Sequence, residues 1–206
     1  MSAEFRPARA EDTEMAVPLI YSSGPEAFNY VFGPSGDGGA IAYLLAAFRD
    51  GAGEFGYRNH IVGVRDGQIV AAGGGWTGAT GLPFMLAAVR QFVMQFGVVK
   101  AASTIARGLA TENVMPPPAK AEFYIGHLGV SEAMRGRGVG GVMLDYLLAR
   151  GRESGVPTAV LDVAMTNPRA EALYFRNGFR VTKESHTKLE NKFGKVPDHR
   201  RMALKF

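Results

Sequence analysis

The stretch that most limits how this chain can fold is Arg135-Gly136-Arg137-Gly138-Val139-Gly140-Gly141, a glycine-rich turn between an extended apolar run at 123–130 and a helical pattern. In that pattern Val139, Val142, Met143, Tyr146 and Leu147 recur at the spacing of one helix face. A strand, a tight turn and a helix start bring unpaired backbone N–H groups and the positive end of the helix dipole to one place, which favours an anion such as a phosphate. Arg135 and Arg137 add full positive charges there.

Context argues against two familiar phosphate loops. Gly136, Gly138 and Gly141 spell G-x-G-x-x-G, and Asp162 follows at about the distance of the ribose-binding acid of a dinucleotide site. In a dinucleotide fold, however, the first glycine directly follows its strand, whereas Ser131 to Arg135 intervene here. Too little chain follows Gly141 for the rest of a doubly wound sheet, and Asp162 sits inside a strand pattern rather than at its end. A Walker A loop is excluded, because no Lys-Ser/Thr follows the glycines.

The net charge of +4 is unevenly spread: residues 1–120 carry 9 basic and 10 acidic side chains, residues 121–206 carry 14 and 9. A basic half suits nucleic acid, an anionic surface or a phosphorylated cofactor. No run of five or more Lys/Arg occurs, so nucleic acid is the weaker reading. With no Cys there is no disulfide, no zinc-thiolate site and no Cys nucleophile, which fits a reducing compartment. No apolar segment follows Met1, and the expectation is a cytoplasmic protein. His60, His186 and His199 have no metal-ligand spacing and no G-x-S-x-G elbow is present, so no metal site and no serine-hydrolase chemistry is expected.

Along the chain, residues 5–8 read as a short strand and Asp12 as a helix cap. Residues 40–48 carry Ile41, Leu44, Leu45 and Phe48 at helical spacing. Residues 61–64 and 69–72 flank Asp66-Gly67, the signal of a tight antiparallel hairpin. The apolar segment at 82–110 is interrupted by Arg90, Gln91, Gln95, Gly97 and Lys100, which argues against a membrane span and for packed helices. Such helices serve the core, a homodimer contact or the wall of a substrate pocket. After the glycine loop and its helix, residues 158–164 read as a strand. Asn167-Pro168 then starts a second helix with Ala170, Leu173 and Tyr174 inward, Asn177-Gly178 ends it, and residues 179–182 and 202–206 form closing strands. The 27 glycines are about twice ordinary usage. Gly73-Gly74-Gly75 and the run from Gly33 to Gly39 read as mobile or closely packed backbone beside a substrate.

Read instead as R-x-x-G-x-G, through Arg135, Gly138 and Gly140, the loop resembles the acyl-CoA-binding loop of the GNAT superfamily of N-acetyltransferases. Leu128-Gly129-Val130-Ser131 before it, and Asn167, Ala170, Leu173, Tyr174, Gly178 and Phe179 after it, match at family spacing. The resemblance implies an α/β fold, a mixed, mostly antiparallel central sheet flanked by helices, in one domain over 1–206 with a helical insertion at about 78–120 between strands 3 and 4. That insertion is the departure from the usual pattern.

The resemblance further implies acetyl-CoA as acyl donor and an amine-bearing small molecule or peptide as acceptor. The donor's phosphates would lie on the backbone of Arg135, Gly136, Arg137, Gly138, Val139, Gly140 and Gly141, and its pantetheine arm against Leu128, Gly129 and Val130. The Leu128 N–H would polarise the thioester oxygen, Asn167 would both cap its helix and touch CoA, and Tyr174 would protonate the leaving thiolate. A buried core tyrosine is the plainer account of Tyr174. For the base that frees the amine, Tyr124 stands at the family position but is chemically poor, so Glu122, acting through water, is the candidate. Strand alternation puts Glu122, Tyr124, Gly126, Leu128 and Val130 on one face and His127 on the other, where it reads as a packed histidine and a secondary candidate. Lys188, Lys192 and Lys195 suggest contact with CoA phosphate or an acidic substrate, or else a solvated face. A CoA-binding sensor that has lost turnover is the alternative to an enzyme.

Overall fold

The computed structural model describes residues 3–33 and 38–206. A seven-stranded sheet runs in the order β1 (Glu4–Pro7), β2 (His60–Arg65), β3 (Gln68–Thr77), β4 (Glu122–Val130), β5 (Thr158–Ala164), β9 (His199–Lys205), β6 (Arg180–Ser185). Every pairing is antiparallel except β4 with β5. The hairpin at Asp66-Gly67 forms as its sequence predicts, with φ of 51° and 75° at the two turn residues. A short two-stranded ribbon, β7 (Glu190–Asn191) and β8 (Gly194–Lys195), lies apart from the sheet against α2 (Pro25–Phe32).

Each face of the sheet carries its own apolar core. One buries α1 (Thr13–Tyr21), α2 and α3 (Ala40–Asp50) through Val17, Ile20, Phe32, Tyr43, Leu44 and Phe48. The other buries α5 (Val139–Glu153) and α6 (Pro168–Arg176) through Met143, Leu144, Leu147, Tyr174 and Phe179. Two local expectations change. Val142 is 52% exposed and Leu144 and Leu148 take the inward positions, so the buried stripe of α5 is turned by one residue from the predicted one. Asp12 precedes α1 without capping it; its carboxylate instead accepts from the Arg9 N–H at 2.7 Å and from the Arg6 guanidinium at 2.8 Å.

The insertion forms α4 (Gly81–Thr111), a helical stretch long and apolar enough by length and composition to cross a membrane. It is not one continuous helix. Gly97, with φ 73° and ψ 163°, breaks it into 81–96 and 98–111, because that backbone region is open only to glycine. The first half packs across α3: Arg90 pairs with Asp50 at 2.6 Å, and Gln91 donates to Asp50 and to the Ala52 carbonyl. The predicted glycine cluster in β3 is closely packed but two-sided. A side chain on Gly73 or Gly75 would strike Met143 or Phe123 in the α5 core, whereas one on Gly74 would meet His60 and Trp76 on the other face. Of the Gly33–Gly39 run, residues 34–37 lie outside the described residues.

Candidate active site

The geometry of the site starts from two interruptions in β4. Pairing with β5 covers only Glu122–Thr158, Phe123–Ala159 and Tyr124–Val160, and beyond that rung the two strands part. On the β3 side the register slips between Ala72 and Gly74, with one extra residue in β4, a β-bulge. The bulge centres on His127, which takes a positive φ of 58°.

That extra residue reverses the alternation of side chains. Phe123 and Ile125 point into the α5 core, and so do Leu128 and Val130 beyond the bulge, while Tyr124 and His127 both stack near Trp76 on the opposite face. The sequence expectation that Leu128 and Val130 share the face of Tyr124, with His127 opposite, is therefore corrected: strict alternation cannot anticipate an inserted residue. Main-chain direction follows from the same register. Ser131 donates its N–H to the Val70 carbonyl in β3, so the N–H and C=O groups of Val130 and Leu128, one and three residues back on the alternating ladder, turn away from β3 toward the gap. The Val130 carbonyl already accepts from Arg135 Nε at 3.1 Å.

At the foot of the gap lies the glycine loop. Gly138, at φ 82°, is the left-handed residue preceding α5, and a Cβ on it or on Gly136 would project into open space. Among the described residues the N–H groups of Gly136, Gly138, Val139 and Gly140 donate to no backbone carbonyl, while those of Gly141 and Val142 return to Gly138. Four unpaired amides, an open cradle and the N-terminus of a fifteen-residue helix are the features that hold a diphosphate. Arg135 is engaged with Val130 and lies 3.6 Å from Glu132, and Arg137 is exposed on the loop.

The gap opens into a cavity of about 580 Å³. One end is lined by Gly126, Leu128, Val163, Asn167, Ala170 and Tyr174; the other is built by α2 and α4 with Phe28, Phe84, Phe92, Glu54 and Glu112. The insertion is thus a wall of the cavity, and through Phe92 and Ala101 it also joins the apolar core beside α3. Asn167 accepts from the Ala170 N–H at 3.1 Å, a helix cap that keeps its amide at the cavity rim. Tyr174 is buried, its hydroxyl bonds to no described residue, and burial pushes it up to about 12, so the phenol keeps its proton at neutral pH.

The two carboxylates near β4 differ sharply. Glu122 is absent from the cavity lining; it accepts from the Ala119 N–H at 2.8 Å and pairs with Arg201 at 3.2 Å. Asp162 lines the cavity, with a side chain wholly shielded from solvent. Its Oδ2 accepts from Tyr124 Oη and from Arg201 Nη1, both at 3.1 Å, and its Oδ1 is buried without a partner. Burial pushes its carboxyl up to about 6 against the pull of Arg201 and Tyr124. Tyr124 is itself pushed well above its ordinary value by burial and the nearby Asp162, so it acts here as a donor and not as a base. Lys188, Lys192 and Lys195 lie outside the cavity lining, on or beside the β7–β8 ribbon; Lys192 covers the Phe193 ring and Lys195 lies 4.0 Å from Glu190.

The sequence pattern does not single out Arg201, and it offers Asp162 only as a ribose-binding acid. Asp162 is the one acid in a β-branched apolar strand, a signal masked by its resemblance in spacing to a ribose-binding acid; Arg201 was hidden among the basic residues of the C-terminal half.

The acetyltransferase (GNAT) family pattern matches residues 43–179. No curated protein sequence matches the chain. Among solved structures, an N-acetyltransferase from Staphylococcus aureus Mu50 superposes with a TM-score of 0.73 at 16% identity, over 98% of this chain and 100% of that one. The Drosophila melanogaster polyamine N-acetyltransferase gives 0.58 at 17%, over 99% and 100%. The ribosomal-protein-S18-alanine N-acetyltransferase of Escherichia coli gives 0.55 at 14%, over 98% and 93%. These likenesses concern the fold. A parted strand pair above a loop of unpaired amides has the features that suit a phosphate-bearing ligand. The chain belongs to the GNAT acetyltransferase family, whose acyl donor is acetyl-CoA, and it is an N-acetyltransferase.

Proposed function

We propose that the protein transfers the acetyl group of acetyl-CoA to a primary amine by direct attack, with both substrates bound in the one cavity. The observation that carries this reading is a single cavity that runs from the β4–β5 gap, beside Leu128 and Tyr174, to the aromatic and acidic chamber under α4. The donor supplies an activated thioester. The protein's own groups do the rest. The amides of Gly136, Gly138, Val139 and Gly140 hold the diphosphate. The Leu128 N–H, turned into the gap, stabilises negative charge growing on the acyl oxygen. Tyr174 gives its phenolic proton to the departing sulfur, and the second proton lost from the attacking nitrogen restores it. The apolar and aromatic walls of the cavity favour the uncharged amine.

The test is release of free thiol from acetyl-CoA in the presence of a panel of primary amines, with product mass confirming the N-acetyl bond. Saturable release with at least one amine is expected. CoA binding with no transfer to any amine would instead identify a sensor.

A further inference from the structure

His127 sits at the bulge, beside the proposed oxyanion donor Leu128, and its ring partners define a chain of hydrogen bonds. His60, wholly buried in β2, holds Nδ1 at 2.9 Å from the Gly56 carbonyl and Nε2 at 3.2 Å from His127 Nδ1. A carbonyl only accepts, so His60 carries its hydrogen on Nδ1. Burial and the neighbouring imidazole press His60 down to about 3, so it stays neutral and its Nε2 offers a lone pair. That lone pair takes the hydrogen of His127 Nδ1. The remaining nitrogen, His127 Nε2, is left as the basic atom; it faces Glu54 Oε1 at 3.3 Å, and both residues line the cavity. The ring is held between Phe55, at 4.9 Å, and His60, at 5.4 Å, with Phe28 and Trp76 at its edges.

We propose that His127 is the general base of the reaction, with His60 as the positioning residue that fixes its tautomer and Glu54 as the counter-ion. This rests on the reading of the site as an amine acetyltransferase. One N–H proton of the substrate ammonium passes to His127 Nε2, the freed nitrogen pair forms the C–N bond, and the C–S bond breaks. The proton then leaves from the imidazolium to water. Glu54 attracts the cationic substrate and then balances the imidazolium. The other titratable groups on this side include His60, Tyr43, whose hydroxyl is raised by burial and by Glu54, Tyr124, which is engaged with Asp162, and Glu112, whose carboxyl is raised by burial and by Glu54. Glu122, tied to Arg201 and Ala119 away from the cavity, does not compete for the role.

The experiment compares wild type with His127→Gln on an alkylamine, protonated at neutral pH, and an arylamine, which is not. A base is needed only for the first. The expected result is a loss in kcat of about 100-fold or more on the alkylamine, a change of only a few-fold on the arylamine, and an unchanged KM for acetyl-CoA. Glu54→Gln should raise KM for the alkylamine several-fold and leave KM for the arylamine unchanged, since the cation loses the carboxylate that attracts it. Imidazole nitrogen NMR of the wild type, which needs no turnover, should show neutral His60 protonated at Nδ1. His127→Gln slowing both amines equally, or His60 protonated at Nε2, overturns the proposal. A wild-type protein that binds CoA and acetylates neither amine overturns the parent reading instead.

Discussion

Tyr124 donates its hydroxyl hydrogen to Asp162 at 3.1 Å, just where β4 and β5 stop pairing. The bond spans the mouth of the gap, and Asp162 already has one oxygen without a partner. Tyr124→Phe leaves only Arg201 to serve the carboxylate. A loss of about 1 to 3 kcal/mol in unfolding free energy is expected, measured by urea denaturation at pH 7.

Two buried groups set opposing pH dependences. His60 is held down to about 3 against an ordinary 6.5, so the unfolded chain binds the extra proton between those values and stability falls as the pH drops. Asp162 is held up to about 6 against 3.8, so the folded chain binds the extra proton and stability falls as the pH rises through that window. Between about pH 4 and 6 the two slopes oppose one another, each at most about 1.4 kcal/mol per pH unit. Asp162→Asn should uncover a steeper acid loss, and His60→Gln should remove it. Unfolding free energies measured at pH 4, 5 and 6 decide this; parallel curves for all three proteins would contradict it.

Tyr174→Phe removes a hydroxyl that bonds to no described residue, so thermal stability should hardly change. As the proton donor to the leaving sulfur, the hydroxyl is worth about 100-fold in kcat. Steady-state kinetics should show that loss with little change in KM for acetyl-CoA.

Gly138→Ala places a side chain on a left-handed residue, at a cost of about 1 to 2 kcal/mol, and pushes its methyl into the open cradle. CoA binding by calorimetry should weaken by tenfold or more, while the far-UV spectrum of the folded protein stays unchanged.

Gly97→Ala strains the break in α4 by about 1 to 3 kcal/mol without meeting any atom within 4 Å. Only the acceptor wall is disturbed. KM for the amine should rise and CoA affinity should stay as it is.

The donor half of the site was legible because local rules built it. Asn167-Pro168 announces its helix, and the glycine loop announces its amides. The acceptor half was not. Whether His127 faces Trp76 or the α5 core depends on one surplus residue in β4, set by its partnership with β3. That pairing is a tertiary property, invisible to a count of alternating side chains. Glu122 looked the better acid because the sequence shows its type and not its engagement with Arg201, a residue 79 positions away.

Gly97 and the helical stretch around it stand between β3 and β4, outside the ladder that sets the gap and the glycine loop. On the proposed function, the α4 wall that meets the acceptor and the glycine loop that meets the donor therefore come from separate parts of the chain. If that proposal holds, substitutions along 81–111 should change which amine is accepted while leaving the affinity for acetyl-CoA as it is.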